Sequence, residues 1–430
     1  MSLPLRISNF PEHVGEQVSI QGWVQNMRSS GKIMFWQVRD GSDFCQAILS
    51  ADELTAEQWE QAGTVTQESS VTLTGTVSKH PKKEEYELQV SGFTIQQISA
   101  EYPIANKDHG VDFLLDQRHL WLRSSKQWAI QRVRDTLIHA IYDFMRQESF
   151  TKIDAPIITA NAGENTTDLF KVNYFDTVSY LSQTGQLYLE AAMFAHGKVF
   201  DFGPTFRAEK SKTRRHLTEF WMMDAEMAFS TLEDNLQTQE SLIRFMVQAV
   251  LEKNKKELEI LERDLTPLQN ITKPFYRLTH AEAVQKLKEN GSDIGERDDL
   301  GADDETILTK LYDNPIFITH YPAEVKAFYM KRDSKDESRV LGADLLAPEG
   351  YGEIIGGSQR EDDYETLKQR ITEFGLKTED YQWYLDLRRF GSVPHGGFGI
   401  GLERVTAWIC GIPHIRETIP FPRTIYRVTP

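Results

Sequence analysis

Two arginines in distant parts of the chain have neighbours suited to binding a polyphosphate. Arg207 ends a strand-like segment and is followed by the basic stretch 210–216. Arg404 follows the glycine-rich stretch 396–401, which reads as a strand leading into a helix. A guanidinium can hold phosphate oxygens through two parallel hydrogen bonds and keeps its charge, and glycines let a ligand lie directly on the backbone. The two segments together predict a site that holds a triphosphate from two sides.

The segment 219–227 shows strand alternation with two chemically different faces. One face carries apolar side chains that suit packing against helices, namely Trp221, Met223, Ala225 and Met227. The opposite face carries Phe220, Met222, Asp224 and Glu226. Because successive residues of a strand point to opposite faces, two carboxylates and an aromatic ring share one side. That side would make a poor hydrophobic core, and we expect it to form the floor of a substrate pocket.

Short, alternating apolar segments fill residues 16–98, as expected of a small barrel. They lie at 18–24, 33–38, 44–49, 71–77 and 86–95. Residues 40–42 and 79–83 supply turn chemistry between them. Five such strands are typical of an oligonucleotide-binding (OB) barrel. We therefore predict an OB-fold domain over residues 1–100.

The remaining sequence predicts an antiparallel sheet flanked by helices. Residues 101–125 are polar and irregular, and we interpret them as a hinge. Val133, Leu137 and Ile141 then recur at helical spacing, and a second long helix is predicted over 232–256, with Thr231 and Asp234 in capping-box positions. Strands are predicted at 178–183, 198–207, 217–229, 315–320, 351–360 and 396–401. No βαβ regularity appears, so we assign an α+β fold and place the catalytic domain at residues 126–430.

Composition limits the location and the partners. The 430 residues include 48 Lys and Arg against 64 Asp and Glu, and the formal charge is −16. This charge is unusual for a nucleic-acid-binding protein, but local basic patches decide contacts with phosphate. Cys45 and Cys410 lie far apart, which argues against a disulfide framework or a zinc site. Since no apolar run approaches the roughly 20 residues of a membrane span and the start lacks a signal peptide, we expect a cytoplasmic protein without a membrane partner.

The two arginine segments resemble motifs two and three of class II aminoacyl-tRNA synthetases. The predicted helix near Phe150, with Pro156 after it, resembles motif one, the dimer-forming element. The OB barrel is similar to the anticodon-binding domain of the subgroup that serves aspartate, asparagine and lysine. This resemblance covers nearly the whole chain. It implies a homodimer that activates an amino acid with ATP and transfers it to tRNA.

The resemblance assigns the residues that bind ATP. Arg207 would contact the α-phosphate, Glu209 the adenine amino group and His216 the terminal phosphates. Phe220 would stack under adenine with Arg404 above it, and Arg404 would also reach the γ-phosphate. Attack on the α-phosphorus needs positioning and cationic stabilisation but no covalent nucleophile. Arg207 and Arg404 are therefore the predicted catalytic residues.

Glu353 and Asp344 resemble the family's metal-binding acids, which hold Mg²⁺ against the triphosphate. Strict alternation would send Glu353 and Arg360 to opposite faces of one strand. Both can face the substrate only if the strand contains a bulge. We expect that bulge at Gly356-Gly357, since glycine within a strand often marks one.

The amino-acid substrate is suggested by a further set of resemblances. Glu164, Gln186 and Asp224 resemble the residues that bind the substrate ammonium group. Arg360 matches the arginine that holds the side-chain oxygen of aspartate or asparagine, and it would repel lysine. Where aspartate enzymes typically carry Lys-Gln, this chain has Leu189-Glu190, and Glu190 would accept a hydrogen bond from an amide while repelling a carboxylate. The implied substrates are L-asparagine and tRNA(Asn).

Three other functions stay open at this point. One is an aspartate-charging enzyme, including one that serves both tRNAs, and Leu189-Glu190 opposes it. The second is an ATP-dependent asparagine synthetase of the same fold, which needs no anticodon-binding barrel. The third is a non-catalytic nucleic-acid-binding protein, which would be expected to have lost Arg207, Arg404 or Glu353.

Three barrel residues match the family's anticodon-reading positions. Phe35 could stack on a base, Gln46 could pair with a uracil edge, and Arg28 could reach a base or the backbone. Glu87 is a further candidate for the same surface. Asparagine and aspartate anticodons share their central uridine, so these residues would not distinguish the two tRNAs.

Overall fold

The computed structural model describes residues 4–105, 107–160, 163 and 168–430. The chain divides into two compact units, Met1–Gly110 and Val111–Pro430. None of the helices in the described ranges has the length and apolar character needed to cross a membrane.

The first unit is a closed barrel of five strands. The strands are β1 (Gln17–Ser30), β2 (Ile33–Arg39), β3 (Phe44–Ser50), β4 (Ser70–Lys79) and β5 (Tyr86–Gln97), and helix α1 (Ala56–Ala62) lies between β3 and β4. Around the barrel the order is β1-β2-β3-β5-β4. Alternate side chains point inward, so that Ile20, Trp36 and Leu73 are buried in a common core. The predicted five-stranded barrel is confirmed.

The second unit is built on a nine-stranded sheet. Its strands, together with those of two small sheets, are β6 (Thr151–Lys152), β7 (Ile158–Thr159), β8 (Lys171–Tyr174), β9 (Thr177–Leu181), β10 (Lys198–Phe200), β11 (Gly203–Phe206), β12 (Glu219–Ala228), β13 (Tyr276–Thr279), β14 (Ile316–Thr319), β15 (Arg332–Asp333), β16 (Asp336–Val340), β17 (Gly342–Ala347), β18 (Gly352–Gln359) and β19 (His395–Gly401). The main sheet has the order β13-β14-β17-β18-β19-β12-β10-β6, and β11 also pairs with β12. Its pairs are antiparallel except β13 with β14 and β6 with β10. The predicted mainly antiparallel sheet is confirmed.

The second unit also contains helices, which lie on both faces of this sheet. They are α2 (Val111–Asp116), α3 (Arg118–Trp121), α4 (Ser125–Gln147), α5 (Gln186–His196), α6 (Leu232–Lys253), α7 (Lys255–Ile260), α8 (Thr266–Gln269), α9 (His280–Glu289), α10 (Ala302–Thr309), α11 (Tyr364–Glu373), α12 (Gln382–Arg389) and α13 (Leu402–Cys410). Leu137 of α4, Met246 of α6 and Trp408 of α13 pack in one buried cluster with Met223 and Ile355 of the sheet. The polar side chains of the central strands therefore lie on the other face.

The two long helices begin at the residues that their capping chemistry predicts. Thr231 accepts a hydrogen bond from the backbone of Asp234, whose carboxylate accepts one from the backbone of Thr231. Ser124 caps α4 in the same way through the backbone N–H of Gln127. Each cap satisfies a backbone donor that the helix leaves without a partner.

Residues 111–124, part of the expected hinge, lie mostly in α2 and α3. Arg118 in α3 is only 1% exposed. Its guanidinium donates hydrogen bonds to the backbone carbonyls of Glu417, Ile419 and Pro420. The polar character of this stretch therefore reflects a buried arginine that fastens the segment 417–420 to α3.

Of the four residues of β12 predicted to pack against helices, three do so. Met223, Ala225 and Met227 are buried under the helices. Trp221 is 37% exposed and packs against Phe202, with ring centroids 5.6 Å apart. The helix-covered part of the strand thus begins after Trp221.

Candidate active site

A cavity of about 430 Å³ opens on the polar face of β12, β18 and β19. Among the residues that line it are Gln186, Arg207, Glu209, His216, Phe220, Asp224, Asp344, Glu353, Arg360 and Arg404. All of these were predicted site residues, although they lie far apart in the sequence. The fold therefore brings the predicted nucleotide, metal and amino-acid ligands to one cavity.

Glycines of β19 make room for two carboxylates of β12. Glu226 pairs with Gly397 and Asp224 pairs with Gly399 across the two strands. A Cβ atom on Gly397 would lie 2.2 Å from a Glu226 oxygen, and one on Gly399 would lie 2.6 Å from an Asp224 oxygen. No larger residue fits at these distances without displacing the acids. The glycine-rich strand therefore positions the acids of its neighbour, and Gly399 also lines the cavity.

Arg207 lies beside Phe220 at one wall of the cavity. Its guanidinium carbon is 5.7 Å from the centroid of the Phe220 ring. Its Nη1 donates a hydrogen bond to the backbone carbonyl of Gln183, which fixes the side chain. A flat ring next to a permanent cation suits a nucleotide, whose base can stack on the ring while its phosphate binds the guanidinium.

Arg404 supplies a second cation from the first turn of α13. Its Nη1 donates 2.9 Å hydrogen bonds to both the carboxylate and the backbone carbonyl of Glu353. His216 contacts Thr213 through Nδ1. Burial, helped by nearby Arg404, lowers the pKa of His216 below its ordinary value. The ring is therefore neutral at physiological pH and offers a hydrogen bond without adding charge.

Glu353 and Arg360 face the cavity together because β18 contains one extra residue. Pairing with β17 shifts by one position at Ile354. The bulge expected at Gly356-Gly357 is not there, since both glycines pair regularly with β17. The extra residue at Ile354 returns Glu353 to the face that holds Arg360.

Glu353 and Asp344 converge on Gly356. A Cβ atom on Gly356 would lie 3.1 Å from Glu353 Oε1 and 3.7 Å from Asp344 Oδ1. In the described part of the chain, no group of three acidic, histidine or cysteine side chains could hold a metal ion unaided. Mg²⁺ is commonly bound by one or two carboxylates together with substrate phosphates. The pair therefore fits a magnesium ion that completes its ligand set on a triphosphate.

Lys326 is a site residue that no sequence motif marks. Its Nζ lies 2.8 Å from Asp344 Oδ2 and 3.2 Å from Asp299 Oδ1, and 3.8 Å from the centroid of the Tyr321 ring. Burial alone would lower the pKa of Lys326, but Asp344 and Asp299 raise it above its ordinary value. A fixed positive charge thus lies beside the carboxylates. Its only signal in the sequence is a single charge before the apolar residues 327–329.

The carboxylate of Asp224, predicted to bind an ammonium group, is fixed at the cavity by two hydrogen bonds. Its Oδ2 accepts 2.8 Å hydrogen bonds from Thr184 Oγ1 and from the backbone N–H of Gly185. Asp201 lies next to it, and burial, followed by the charge of Asp224, raises the pKa of Asp201 to about 8. Asp201 is therefore largely protonated at neutral pH, and Asp224 carries the negative charge. Glu164, predicted for the same group, lies outside the described residues.

Arg360 lines the cavity and forms a buried ion pair with Glu226, which is not itself among the cavity-lining residues. Arg360 donates to Glu226 Oε1 through Nε at 3.1 Å and through Nη2, and to Ser358 Oγ through Nη1 at 2.7 Å. The two charged side chains are 4% and 1% exposed. Burial raises the pKa of Glu226 to about 7, although Arg360 opposes this. The cavity therefore meets a guanidinium whose positive charge is compensated by a buried carboxylate, which suits a neutral polar group such as a carboxamide oxygen.

Glu226 had a sequence signal, because strand alternation placed it on the cavity face with Asp224. Its role depends on Arg360, which is 134 residues away in the sequence. Only the sheet brings the two together, since β18 and β12 both pair with β19.

Glu190 is not in the cavity wall, which corrects the expected direct contact with the substrate. Its side chain is fully buried. It accepts hydrogen bonds from Tyr384 and Arg388, both at 2.7 Å, from Gln186 at 3.1 Å, and contacts His395 at 3.0 Å. Burial would raise its pKa, but Arg388 and His395 hold the pKa of Glu190 well below its usual range. Glu190 therefore reaches the cavity only through Gln186.

The three predicted anticodon residues are brought together on the outside of the barrel. The guanidinium carbon of Arg28 lies 4.6 Å from the Phe35 ring centroid, and Nη2 donates to Gln46 Oε1 at 3.2 Å. Gln46 in turn donates to Glu87 Oε1 at 2.7 Å. An aromatic ring, a cation and an amide in contact form a surface suited to an unpaired base.

Comparisons with known proteins agree with both units. The family model "tRNA synthetases class II (D, K and N)" matches residues 110–425, and "OB-fold nucleic acid binding domain" matches residues 18–96. The chain is 53% identical to the asparagine–tRNA ligase of Desulforamulus reducens over 99% of both chains. It matches the crystal structure of Pyrococcus horikoshii asparaginyl-tRNA synthetase complexed with asparaginyl-adenylate with a TM-score of 0.96 and 44% identity over the full length of both chains. The aspartyl-tRNA synthetase of Entamoeba histolytica matches less closely, with a TM-score of 0.85 and 29% identity over 100% of this chain and 93% of that one. The chain belongs to the class II aminoacyl-tRNA synthetases, in the group that serves aspartate, lysine and asparagine.

Proposed function

We propose that this protein activates L-asparagine with ATP to asparaginyl-adenylate and transfers the asparaginyl group to tRNA(Asn), with release of AMP and diphosphate. The observation that carries the proposal is that Arg360, which lines the cavity, is paired with the buried carboxylate of Glu226. The similarity to asparaginyl enzymes along the whole chain supports it. The OB barrel, on which Arg28, Phe35 and Gln46 contact one another, supports a tRNA as the acceptor.

Specificity for asparagine follows from the charge of this pair. Arg360 alone would attract the carboxylate of aspartate. Because the buried Glu226 already compensates that charge, a second carboxylate would gain little from Arg360 and would lie near a negative charge, whereas a neutral amide can accept a hydrogen bond from Arg360 through its oxygen. The compensated charge of Arg360 thus favours the neutral side chain of asparagine over the carboxylate of aspartate.

The first chemical step joins the two ends of the cavity. The α-carboxylate of asparagine attacks the α-phosphorus of ATP, the bond from that phosphorus to the bridging oxygen of the diphosphate breaks, and diphosphate leaves. Arg207 would stabilise charge on the α-phosphate, and Arg404 with His216 would hold the phosphates that depart. Asp224 would fix the ammonium group so that the carboxylate points at phosphorus.

Transfer to tRNA follows in the same cavity. A ribose hydroxyl at the tRNA end attacks the carbonyl carbon of the adenylate, the bond from that carbon to the phosphate oxygen breaks, and AMP departs with the electrons of that bond while its phosphate accepts the hydroxyl proton. No side chain of the chain is covalently modified. The protein contributes orientation and cationic stabilisation in both steps.

We propose that Glu353 and Asp344 hold Mg²⁺ together with the phosphates of ATP. The ion would neutralise phosphate charge. Convergence of the two carboxylates on Gly356 supports this role. The present partners, Arg404 for Glu353 and Lys326 for Asp344, keep the acids charged and oriented.

We propose that the protein is a homodimer, as the resemblance of α4 and the following residues to motif one implies. Apolar side chains are exposed in that region of the second unit. They include Tyr142 of α4 at 37%, Ile157 and Ile158 at 44%, and Trp221 at 37%. Burial of this surface between two copies would be favourable. Light scattering coupled to gel filtration would give the mass of a dimer, and a monomer at micromolar concentration would contradict this part of the proposal.

A cytoplasmic location is part of the same proposal. Cys45 and Cys410 are both buried free thiols, and burial raises the pKa of the Cys410 thiol well above its ordinary value. Thiols of this kind are inert structural residues that fit a reducing compartment. Fractionation of cells that express the protein would test the location.

The decisive test is ATP–diphosphate exchange with asparagine and with aspartate in parallel. We expect asparagine to support exchange and aspartate to be a poor substrate. A chain that prefers aspartate would contradict the proposal. Formation of free asparagine from aspartate and ammonia, without tRNA, would instead identify an asparagine synthetase.

A further inference from the structure

The segment that follows α13 forms a tight turn beside the basic loop 210–216. The backbone groups of Thr424 and Arg427 exchange two 3.1 Å hydrogen bonds, which places Ile425 and Tyr426 at the tip of a two-residue turn. The base of the turn joins the sheet, because the backbone carbonyl of Arg423 accepts a 2.9 Å hydrogen bond from Thr218 at the end of the loop. The loop and the turn are therefore neighbours through backbone contacts.

Helices α2 and α3 fasten this turn to the second unit. Arg427 Nη2 donates a 2.7 Å hydrogen bond to Asp116 of α2. The buried Arg118 of α3 binds the carbonyls of residues 417, 419 and 420 immediately before the turn. A turn that is anchored at both ends can hold the side chain at its tip in a defined place.

Tyr426 at the tip is 78% exposed, yet it is not isolated. The Nζ atom of Lys212, in the basic loop, lies 5.3 Å from the centroid of its ring. On the other side of the loop, Arg215 is buried and donates to Glu305 and to the carbonyl of Gly350. The loop is thus held by Arg215 at the cavity and by Tyr426 at its outer edge.

The exposed cations of this loop have a chemical partner in the proposed reaction. Lys210, Lys212 and Arg214 are exposed, while His216 at the end of the loop lines the cavity. A single-stranded tRNA end must reach that cavity for its ribose to attack the adenylate. Proteins bind such strands by pairing cations with phosphates and by stacking bases on exposed aromatic rings. Tyr426 beside Lys212 provides both elements at one point.

We propose that the Thr424–Arg427 turn is part of the binding surface for the single-stranded acceptor end of tRNA, with Tyr426 as a stacking face for a base and Lys212 as a contact for an adjacent phosphate. This inference rests on the proposed function, because it requires a tRNA substrate. Tyr426 acts in tRNA binding only. Activation of asparagine does not involve it.

The test compares Tyr426→Ala, Tyr426→Phe and a control, Phe390→Ala, which removes another aromatic side chain that is 73% exposed. Asparagine-dependent ATP–diphosphate exchange, which needs no tRNA, reports on the proposed function. Charging of tRNA reports on the turn. We expect Tyr426→Ala to raise the KM for tRNA by about five- to tenfold, as loss of one stacked base would, with exchange unchanged. Tyr426→Phe and Phe390→Ala should behave like the wild type.

A second variant, Lys212→Ala, checks the phosphate contact. Its tRNA affinity should depend less steeply on salt, with the slope of log K against log salt concentration reduced by about one. The inference is overturned if Tyr426→Ala leaves the KM for tRNA unchanged, if Tyr426→Phe loses as much as Tyr426→Ala, or if exchange falls in parallel with charging. Failure of exchange in the wild-type protein would instead overturn the proposed function.

Discussion

Arg360 Nε lies 3.1 Å from Glu226 Oε1, and both side chains are almost completely buried. Glu226 occupies the middle of β12, and Arg360 follows the end of β18, with β19 between the two strands. Gly397 of β19 leaves the space that the Glu226 carboxylate needs. The charge that faces the substrate side chain is therefore set jointly by three strands.

Replacing Glu226 with Gln should weaken discrimination against aspartate. The substitution keeps the size of the side chain but leaves the charge of Arg360 uncompensated, which favours a carboxylate over an amide. We expect the ratio of kcat/KM for asparagine over aspartate to fall by about tenfold or more, since a hydrogen bond to a charged group is involved. Diphosphate exchange with each amino acid measures this ratio. Glu233→Gln, which breaks an exposed pair with Arg277, is the matched control, and an unchanged ratio in Glu226→Gln would rule out the assignment.

Discrimination should also depend on pH. The pKa of Glu226 is raised to about 7, so the group gains a proton as the pH falls below 7 and the charge of Arg360 is then uncompensated. We therefore expect the preference for asparagine over aspartate to decline between pH 8 and pH 6. At each pH, kcat/KM for asparagine is divided by kcat/KM for aspartate. This ratio cancels any effect of pH on ATP binding, because both reactions share it. A ratio that stays constant over this range would contradict a role for the Glu226 charge.

Glu190→Gln should primarily destabilise the protein. The Glu190 carboxylate is the buried partner of Arg388 and contacts His395. Removal of one partner from a buried ion pair costs about 3–5 kcal/mol. We expect urea unfolding at neutral pH to show a loss of this order. The pKa of Glu190 is lowered in the folded state. The difference in unfolding free energy between the wild type and the variant should therefore shrink as the pH falls below the pKa of a glutamate in the unfolded chain, about 4.3. A variant of normal stability that fails only with asparagine would restore the direct contact predicted from the sequence.

Gly356→Ala should raise the magnesium requirement. The added methyl group would lie 3.1 Å from Glu353 Oε1, so the carboxylate must shift slightly from its position beside Asp344. Disturbing the orientation of a metal ligand typically costs about tenfold or more in affinity. The Mg²⁺ concentration for half-maximal exchange measures the effect. Gly203→Ala, at a position with nothing within 4 Å of the added atom, should leave that concentration unchanged, and equal behaviour of the two variants would argue against the site.

Phe35→Ala should impair tRNA charging without affecting amino-acid activation. The ring lies against Arg28 on the outside of the barrel, where a stacked base would contribute about 1–3 kcal/mol. The KM for tRNA should therefore rise at least several-fold, while asparagine-dependent exchange remains normal. If Phe35→Ala charges tRNA as efficiently as the wild type, Phe35 does not contribute to anticodon binding.

Elements with one buried face could be predicted from the sequence, because burial imposes a period of two on strands and near four on helices. The barrel strands and the helices that begin at Ser125 and Leu232 are examples. The strand Gly342–Ala347 escaped prediction because five of its six residues are buried and so show no alternation. Both faces of the strand are covered, since Ala343 and Leu345 belong to one buried cluster and Leu346 to another.

The nucleotide end of the cavity was easier to predict than the amino-acid end. Arg207 and Arg404 lie in segments whose local sequence carries the signal. Glu190, in contrast, obtains its partners from residues 194 to 205 positions away. Such contacts exist only after the chain has folded, and Lys326 owes its place beside Asp344 to the same kind of tertiary contact.

The unpaired residue Ile354 reverses the alternation of side chains within β18. After Ile354, Gly356 of the strand and Arg360 just beyond its end line the cavity, and before Ile354 the strand presents Glu353 to it. Deletion of Ile354 would move each side chain before it in the strand to the opposite face. The Glu353 carboxylate would then point toward the helices, while Arg360 would stay in place. One extra residue therefore places Glu353 and Arg360 on the same face of the sheet, although regular alternation would place them on opposite faces.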